Sequence, residues 1–192
     1  TRFFSKSETY FAKYKVDILR CQVGGSVNRV LEYGCGIGRN IPFLQRAFPE
    51  ATIVGSDISA MSLEIARAEN PDVEVFLEEA GADAGDSFDV IFIAGVFHHV
   101  SVIERGAVME KVRRRLAPGG TIVIFEHNPY NPVTRKIVNN CPYDEHAVLL
   151  KPLELKALLS DGGMIVLRSA YCLFIPPSLA VLLPLEGMFS RL

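Results

Sequence analysis

A large excess of charge of one sign is missing from this chain. Lys and Arg total 20 against 22 Asp and Glu, a net charge of −2. That leaves no basic footprint of the kind that drives nonspecific nucleic-acid binding, so no nucleic-acid partner is expected. Paired cysteines are missing too. Cys21, Cys35, Cys141 and Cys172 stand far apart with no C-x-x-C pair, so neither a zinc site nor a disulfide framework is indicated. A reducing, cytoplasmic setting is expected. No signal peptide is expected at the start, and no internal repeat or low-complexity linker breaks the chain. The apolar tail from Ala170 to Leu192 is interrupted by Pro176, Pro177 and Pro184, so it forms neither a continuous helix nor a membrane span. What remains is a chain of 192 residues, 49% hydrophobic and 22% charged, the profile of a single globular domain able to bury a full core.

The stretch from Val30 to Asp57 organises the rest. A short apolar strand, Val30-Leu31-Glu32-Tyr33, runs into Gly34-Cys35-Gly36-Ile37-Gly38 and then into a helix-length segment through Asn40. Glycines are needed where the backbone turns tightly and a ligand must approach it. A helix starting there offers unpaired N–H groups to an anionic or polar ligand. After a second apolar run, Asp57 arrives about twenty residues past the last glycine. That is the spacing at which a carboxylate at the tip of the second strand accepts ribose hydroxyls. A nucleoside-containing cofactor is predicted.

The glycine spacing separates two cofactor classes. The dinucleotide fingerprint G-x-G-x-x-G would put its third glycine at position 39, where Arg39 stands, so a nicotinamide-dependent oxidoreductase is the weaker reading. The spacing here is G-x-G-x-G, with Glu32 two residues before Gly34. This resembles motif I of the class I S-adenosylmethionine-dependent methyltransferases, with Asp57 as the ribose-binding acid. Two later landmarks strengthen the resemblance. Ser87-Phe88-Asp89 enters the apolar strand ending at Ala94, like motif IV, and Leu116-Ala117-Pro118-Gly119-Gly120 feeds the strand Thr121–Phe125. The region beyond Glu126 is similar to the acceptor-covering insertion of small-molecule members of the methyltransferase type 11 group.

The resemblance implies an α/β fold: a doubly wound, mostly parallel Rossmann-like sheet with helices on both faces. One domain is expected over residues 1–192. Residues 1–26 would form an N-terminal helix with Tyr10 or Tyr14 as a lid over the cofactor, 27–125 the cofactor-binding core, and 126–192 the acceptor side. The N-terminal helix reads equally well as packing on the core edge through Tyr10, Phe11, Tyr14, Ile18 and Leu19. Val108, Val112 and Leu116 should form the apolar face of the helix from Glu104, and Arg113-Arg114-Arg115 should sit at its end to favour the helix dipole. Met164 to Ser169 reads as a sixth strand. The antiparallel seventh strand of the family has no candidate, so either the sequence shown stops early or the edge is finished differently. The apolar tail has three candidate partners: the domain's own core, a second copy of the chain in a homodimer, or a lipid-like acceptor, the first two being favoured.

Implied cofactor-binding residues are Glu32, Gly34, Cys35, Gly36, Asn40, Asp57, Ile58, Ala94 and His99. An acidic residue after the third strand should take the adenine amino group; Glu79 followed by Ala80 is chosen, with Glu78 and Asp83 in competition. Methyl transfer from a sulfonium is an in-line displacement, so the protein must align donor and acceptor, exclude water and take a proton where the acceptor has one. Histidine suits that proton at neutral pH. His98, His99 and His127 lie at the carboxyl edge of the sheet and are the catalytic candidates, with Glu126, Tyr130 and His146 behind them. Adjacent residues on an irregular turn point in different directions, and no third ligand stands at metal-site spacing, so no metal is expected at His98 and His99. The expected reaction converts S-adenosylmethionine to S-adenosylhomocysteine with a small organic acceptor. A domain that binds the cofactor without transferring methyl is the alternative.

Overall fold

The computed structural model describes residues 2–78 and 87–172. Five strands form one parallel sheet: β1 (Arg29–Tyr33), β2 (Thr52–Asp57), β3 (Glu74–Leu77), β4 (Phe88–Ala94) and β5 (Leu116–Phe125). Their spatial order is β3-β2-β1-β4-β5, and every pairing is parallel. The helices are α1 (Arg2–Gln22), α2 (Ile41–Ala47), α3 (Ala60–Glu69), α4 (Arg105–Arg114), α5 (Pro132–Asn139) and α6 (Pro152–Asp161), with a 3-10 turn at Pro142–Asp144.

Alternation along the strands assigns the helices to two faces. Val30, Ile53, Val75, Val90 and Phe92 face one layer, where they pack with Val16 and Leu19 of α1, Ile41 and Leu44 of α2, and Leu63 and Ala66 of α3. Leu31, Tyr33, Val54, Ile91 and Ile93 face the other, against Met109 and Val112 of α4, Leu150, and Leu155 and Leu158 of α6. This is the doubly wound arrangement, and burial on both faces explains why the central strands are almost wholly apolar. The strand order reverses between β1 and β4, opening a crevice at their carboxyl ends. Two helix starts are fixed by side chains: Ser59 accepts from Ser62 N–H at 3.2 Å and Asn131 from Val133 N–H at 2.9 Å.

Several local expectations are corrected. The core face of α1 runs through Ala12, Val16 and Leu19, with Val23 just after it, while Tyr10, Phe11, Tyr14 and Ile18 are only partly buried. Val108, Val112 and Leu116 pack in one cluster as expected, but Leu116 belongs to β5, and the fully buried face of α4 also takes in Arg105 and Met109. The turn expected at Pro118–Gly120 lies inside β5, as a register shift between the Phe88 and Val90 pairings. Met164 to Ser169 form no strand. Ile165 and Leu167 are 86% and 84% exposed, and no described element offers a ladder to pair with them. The apolar tail from Leu173 onward lies outside the described residues, so its expected partners are not addressed by the fold.

The triple arginine divides into two roles. Arg113 and Arg114 bridge to Glu110 on the surface of α4. Arg115 turns inward: it pairs with Glu78, both side chains at most 3% exposed, and its guanidinium lies 5.3 Å over the Phe76 ring. Lys111 reaches the other Glu78 oxygen at 2.6 Å. Burial alone would push the Glu78 carboxyl up, but bonds from Arg115, Lys111 and Ser56 outweigh it and hold the carboxyl below its ordinary value. Removing one partner of such a pair strands a buried charge. Arg115→Met should therefore cost about 3–5 kcal/mol of unfolding free energy, read by urea denaturation. A loss under about 1 kcal/mol would mean the pair is solvated.

Candidate functional site

The loop from β1 to α2 is cross-linked to the end of β2. Gly34 and Cys35 both donate their backbone N–H to the Ser56 carbonyl, each at 2.8 Å. The three glycines have different reasons to be there. All have positive φ, but a Cβ on Gly34 would stand 2.3 Å from Val96 Cγ2 and one on Gly38 would stand 2.6 Å from Asn70 Nδ2. A Cβ on Gly36 would meet nothing within 4 Å. The outer glycines are thus required by packing, and the middle one faces open space. Asp57 completes the loop, accepting from Gly36 N–H at 2.7 Å and from Ser59 N–H at 2.9 Å, one bond to each carboxylate oxygen. Each oxygen keeps lone-pair capacity for a further donor. Ile58, next to it, is 80% exposed. The Cys35 thiol packs in the core, where burial pushes its pKa up, so only its backbone belongs to the loop.

Glu32 lies beneath this loop on β1 and is 1% exposed. Its Oε1 accepts from the Asn40 amide at 2.6 Å, and its Oε2 accepts no hydrogen bond from any described residue. Asn40 is therefore occupied in orienting Glu32. Burial raises the Glu32 carboxyl to about 7; the Asn40 bond and the charge of Lys15 on α1 oppose that rise, and Asp57 adds to it. Burial also lowers the Lys15 ammonium, against the pull of Glu32, Cys172 and Glu126. α1 thus brings a cation to the base of the crevice from beside its core face, Lys15 standing three and four residues from the buried Ala12 and Leu19.

The exits of β4 and β5 are joined by Glu126. One oxygen accepts from the N–H groups of Val96 and Phe97 at 3.0 and 2.7 Å, and the other lies 2.7 Å from His98 Nδ1. His98 is 2% exposed, and its backbone carbonyl accepts from Val148 N–H at 2.8 Å. The adjacent histidines do not diverge. Their ring centroids are 4.1 Å apart, and Nε2 of His98 and of His99 lie 3.6 and 3.4 Å from the same oxygen of Asp144. The His127 ring lies 4.8 Å from that of His98, tilted by 59°. His99 is 44% exposed at its side chain and His127 is half-buried. Burial, reinforced by His98, lowers both imidazoles from their ordinary values.

Of the residues singled out in the sequence, the β1 loop, Asp57, Ile58, Ala94 and the three histidines gather around the crevice. Glu78 stands at the same edge, its N–H donating to the Asp57 carbonyl at 2.8 Å, but its carboxylate is engaged by Arg115 and Lys111. Glu79, Ala80 and Asp83 lie outside the described residues. His146 is exposed in the turn after Asp144, and Tyr130 is 59% exposed. Sequence reasoning missed Lys15, whose position depends on how α1 docks, and Asp144, which meets His98 across 46 residues of chain through a turn with no periodic signal. It also missed Arg105. This arginine, 3% exposed, donates to the carbonyls of Phe97 and Val100 at 3.2 Å and pairs with Glu154, tying the β4–α4 loop to α6.

Residues 31–122 match the family model described as a methyltransferase domain. The ubiquinone biosynthesis O-methyltransferase of Brucella ovis (strain ATCC 25840 / 63/290 / NCTC 10512) is 32% identical over 151 residues, covering 71% of this chain and 59% of the relative. Residues 31–122 belong to the class I S-adenosylmethionine-dependent methyltransferases. A structure of S-adenosylmethionine-bound CalS10, an amino pentose methyltransferase from Micromonospora echinaspora, is 26% identical with a TM-score of 0.57 and covers 67% of this chain and 55% of that one. An O-methyltransferase family protein from Burkholderia thailandensis shares the fold with a TM-score of 0.71 at 16% identity, over 88% and 55% of the two chains. This methyltransferase chain spans 58% of the length of the Chelativorans sp. (strain BNC1) ubiquinone biosynthesis O-methyltransferase, which it also matches. The family's cofactor is S-adenosylmethionine, and the dinucleotide alternative is set aside.

The raised Glu32 carboxyl has a consequence for stability. A carboxyl that moves from 4.5 to about 7 on folding binds its proton more tightly in the native state. Its contribution is full below pH 4.5 and is lost as pH rises through 7. The ligand-free methyltransferase should lose roughly 3 kcal/mol across that window on this account, and Glu32→Gln should flatten the loss. Urea denaturation of both proteins at several pH values tests this; parallel pH profiles would contradict it.

Proposed function

We propose that this chain transfers a methyl group from S-adenosylmethionine to an oxygen atom of a small organic acceptor, at the crevice between the carboxyl ends of β1 and β4. The observation that carries the reading is the pairing, across one crevice, of an open glycine loop with a histidine–carboxylate cluster. On the cofactor side, Gly36 leaves room for a ligand against the backbone, and the free lone pairs of Asp57 suit two ribose hydroxyls. The exposed Ile58 suits the flat apolar face of adenine. Glu32 Oε2, buried without a partner among the described residues, suits the amino group of the methionine portion. When bound, the cofactor supplies an electrophilic methyl group on sulfur.

The chain's own residues supply the rest. His99 and His127 offer lone pairs at the carboxyl edge for the proton of an acceptor hydroxyl. His98 is too buried to meet an acceptor and serves as a positioning residue, held by Glu126. α1 is read as both core packing and cofactor cover, because Lys15 approaches Glu32 and Glu126 from it. The net charge of −2, with Arg113 and Arg114 bridged to Glu110 and Arg115 buried against Glu78, favours a small acceptor in a cytoplasmic setting over a nucleic acid. Among the described residues, no helix is long and apolar enough to cross a membrane. An O-linked acceptor also agrees with the names of the Brucella and Chelativorans relatives.

Calorimetric titration with S-adenosylhomocysteine and, separately, NADH tests the cofactor assignment. Wild type should bind S-adenosylhomocysteine and not NADH, and Asp57→Ala should weaken binding by about 1–3 kcal/mol. The chain should then release S-adenosylhomocysteine when given S-adenosylmethionine and a panel of small hydroxylated acids and phenols. Tight binding with no turnover on any acceptor class would favour a non-catalytic cofactor-binding domain. Binding of NADH alone would overturn the reading.

A further inference from the structure

We propose that His98, His99 and Asp144 hold a divalent transition-metal cation, and that its open coordination positions take an oxygen of the methyl acceptor. The inference rests on the methyl-transfer reading for its second half only. Its first half rests on where three ligand atoms lie. Glu126 Oε2 lies 2.7 Å from His98 Nδ1, and an ionised carboxylate only accepts, so Nδ1 carries the proton and donates. In the neutral imidazole Nε2 is then a bare acceptor. It faces Asp144 Oδ1 at 3.6 Å, and His99 Nε2 faces the same oxygen at 3.4 Å. All three ligand atoms lie within 4.8 Å of one another. Three ligand atoms this close together, in a region where His98 is 2% and Asp144 12% exposed, suit a shared positive charge.

The surroundings fit a metal ligand set. A ligating histidine characteristically donates its second ring N–H to a carboxylate, which fixes its tautomer and raises its basicity; Glu126 does this for His98. Glu126 is in turn held by the Val96 and Phe97 amides, so the imidazole cannot swing away. Two imidazoles and one carboxylate suit Zn²⁺, Co²⁺, Mn²⁺ or Fe²⁺ better than Mg²⁺ or Ca²⁺, which prefer oxygen throughout. Three protein ligands leave coordination positions open, and the 44% exposure of the His99 side chain puts the open side toward solvent. With a cation in place His99 is a ligand rather than a base, and His127 remains as the residue for the acceptor's proton.

The test uses chelator-treated whole chain titrated with Co²⁺ by visible absorption and with Zn²⁺ by calorimetry. S-adenosylhomocysteine affinity is measured on the same samples. Wild type should take one equivalent, and His99→Ala and Asp144→Asn should each weaken cation binding by at least about 100-fold. Asp72→Asn, on the far surface, should bind both the cation and S-adenosylhomocysteine as wild type. Absence of stoichiometric binding by wild type, or equal binding by every variant, would overturn the site; a protonated His98 would then be what joins Glu126 to Asp144. His99→Ala decides the matter should Asp144→Asn fail to fold, because His99 is exposed. Turnover should fall in excess chelator and return with added cation. Chelator-insensitive turnover by a cation-loaded protein would overturn the acceptor half alone. A chain that binds the cation but not S-adenosylhomocysteine would count against the methyl-transfer reading and leave the site standing.

Discussion

The crevice exists because the strand order reverses between β1 and β4, and its two rims are each tied by a carboxylate. A parallel sheet leaves the backbone groups beyond its carboxyl ends without ladder partners, so something else must hold them. On the β1–β2 side Asp57 accepts from Gly36 and Ser59; on the β4–β5 side Glu126 accepts from Val96, Phe97 and His98. Ionised carboxylates make stronger bonds to N–H than neutral acceptors do. Two side chains therefore pin the two loops that any ligand of this crevice must meet. The same Asp57 then has lone pairs left for a ribose, and the same Glu126 sets the tautomer of His98.

Polar groups buried near the crevice are costly to the empty protein. Glu32 is shut from water with one oxygen partnered, and burial drives its carboxyl to about 7. Lys15 is held below its ordinary value close by. Neither is an arrangement that stability alone would favour, since an apolar side chain of similar size would avoid the desolvation. A ligand bearing an amino group would restore a partner to Glu32. Strain of this kind at a ligand site is the expected form of preorganisation.

Most of the frame was legible because it is written locally. The glycine spacing, the twenty-residue interval to Asp57 and the apolar strand before Ala94 each report on a contiguous segment, and each segment stands where the pattern put it. The cap at Ser59 follows from short-range chemistry in the same way. What could not be read depends on contacts between distant segments. Arg115 belongs to an arginine run that looks like a dipole-favouring helix end, yet it crosses to Glu78. Asp144 sits in a turn without periodicity and meets both histidines only because Val148 pairs with the His98 carbonyl. Met164 to Ser169 opens with an apolar run, but a strand needs a neighbour, and composition alone does not supply one. Adjacent histidines were expected to diverge; the turn at Phe97–Val100 brings their rings together instead.

The central claim is that Asp57 and Glu32 read the two ends of one S-adenosyl ligand across the open face of Gly36. A crystal structure of the chain with S-adenosylhomocysteine tests it most directly. The account predicts both ribose hydroxyls on the Asp57 carboxylate, the amino group within hydrogen-bond distance of Glu32 Oε2, and the sulfur beside the β4 exit near Ala94. A ligand seated elsewhere, or one that leaves Asp57 bonded only to Gly36 and Ser59, would contradict it.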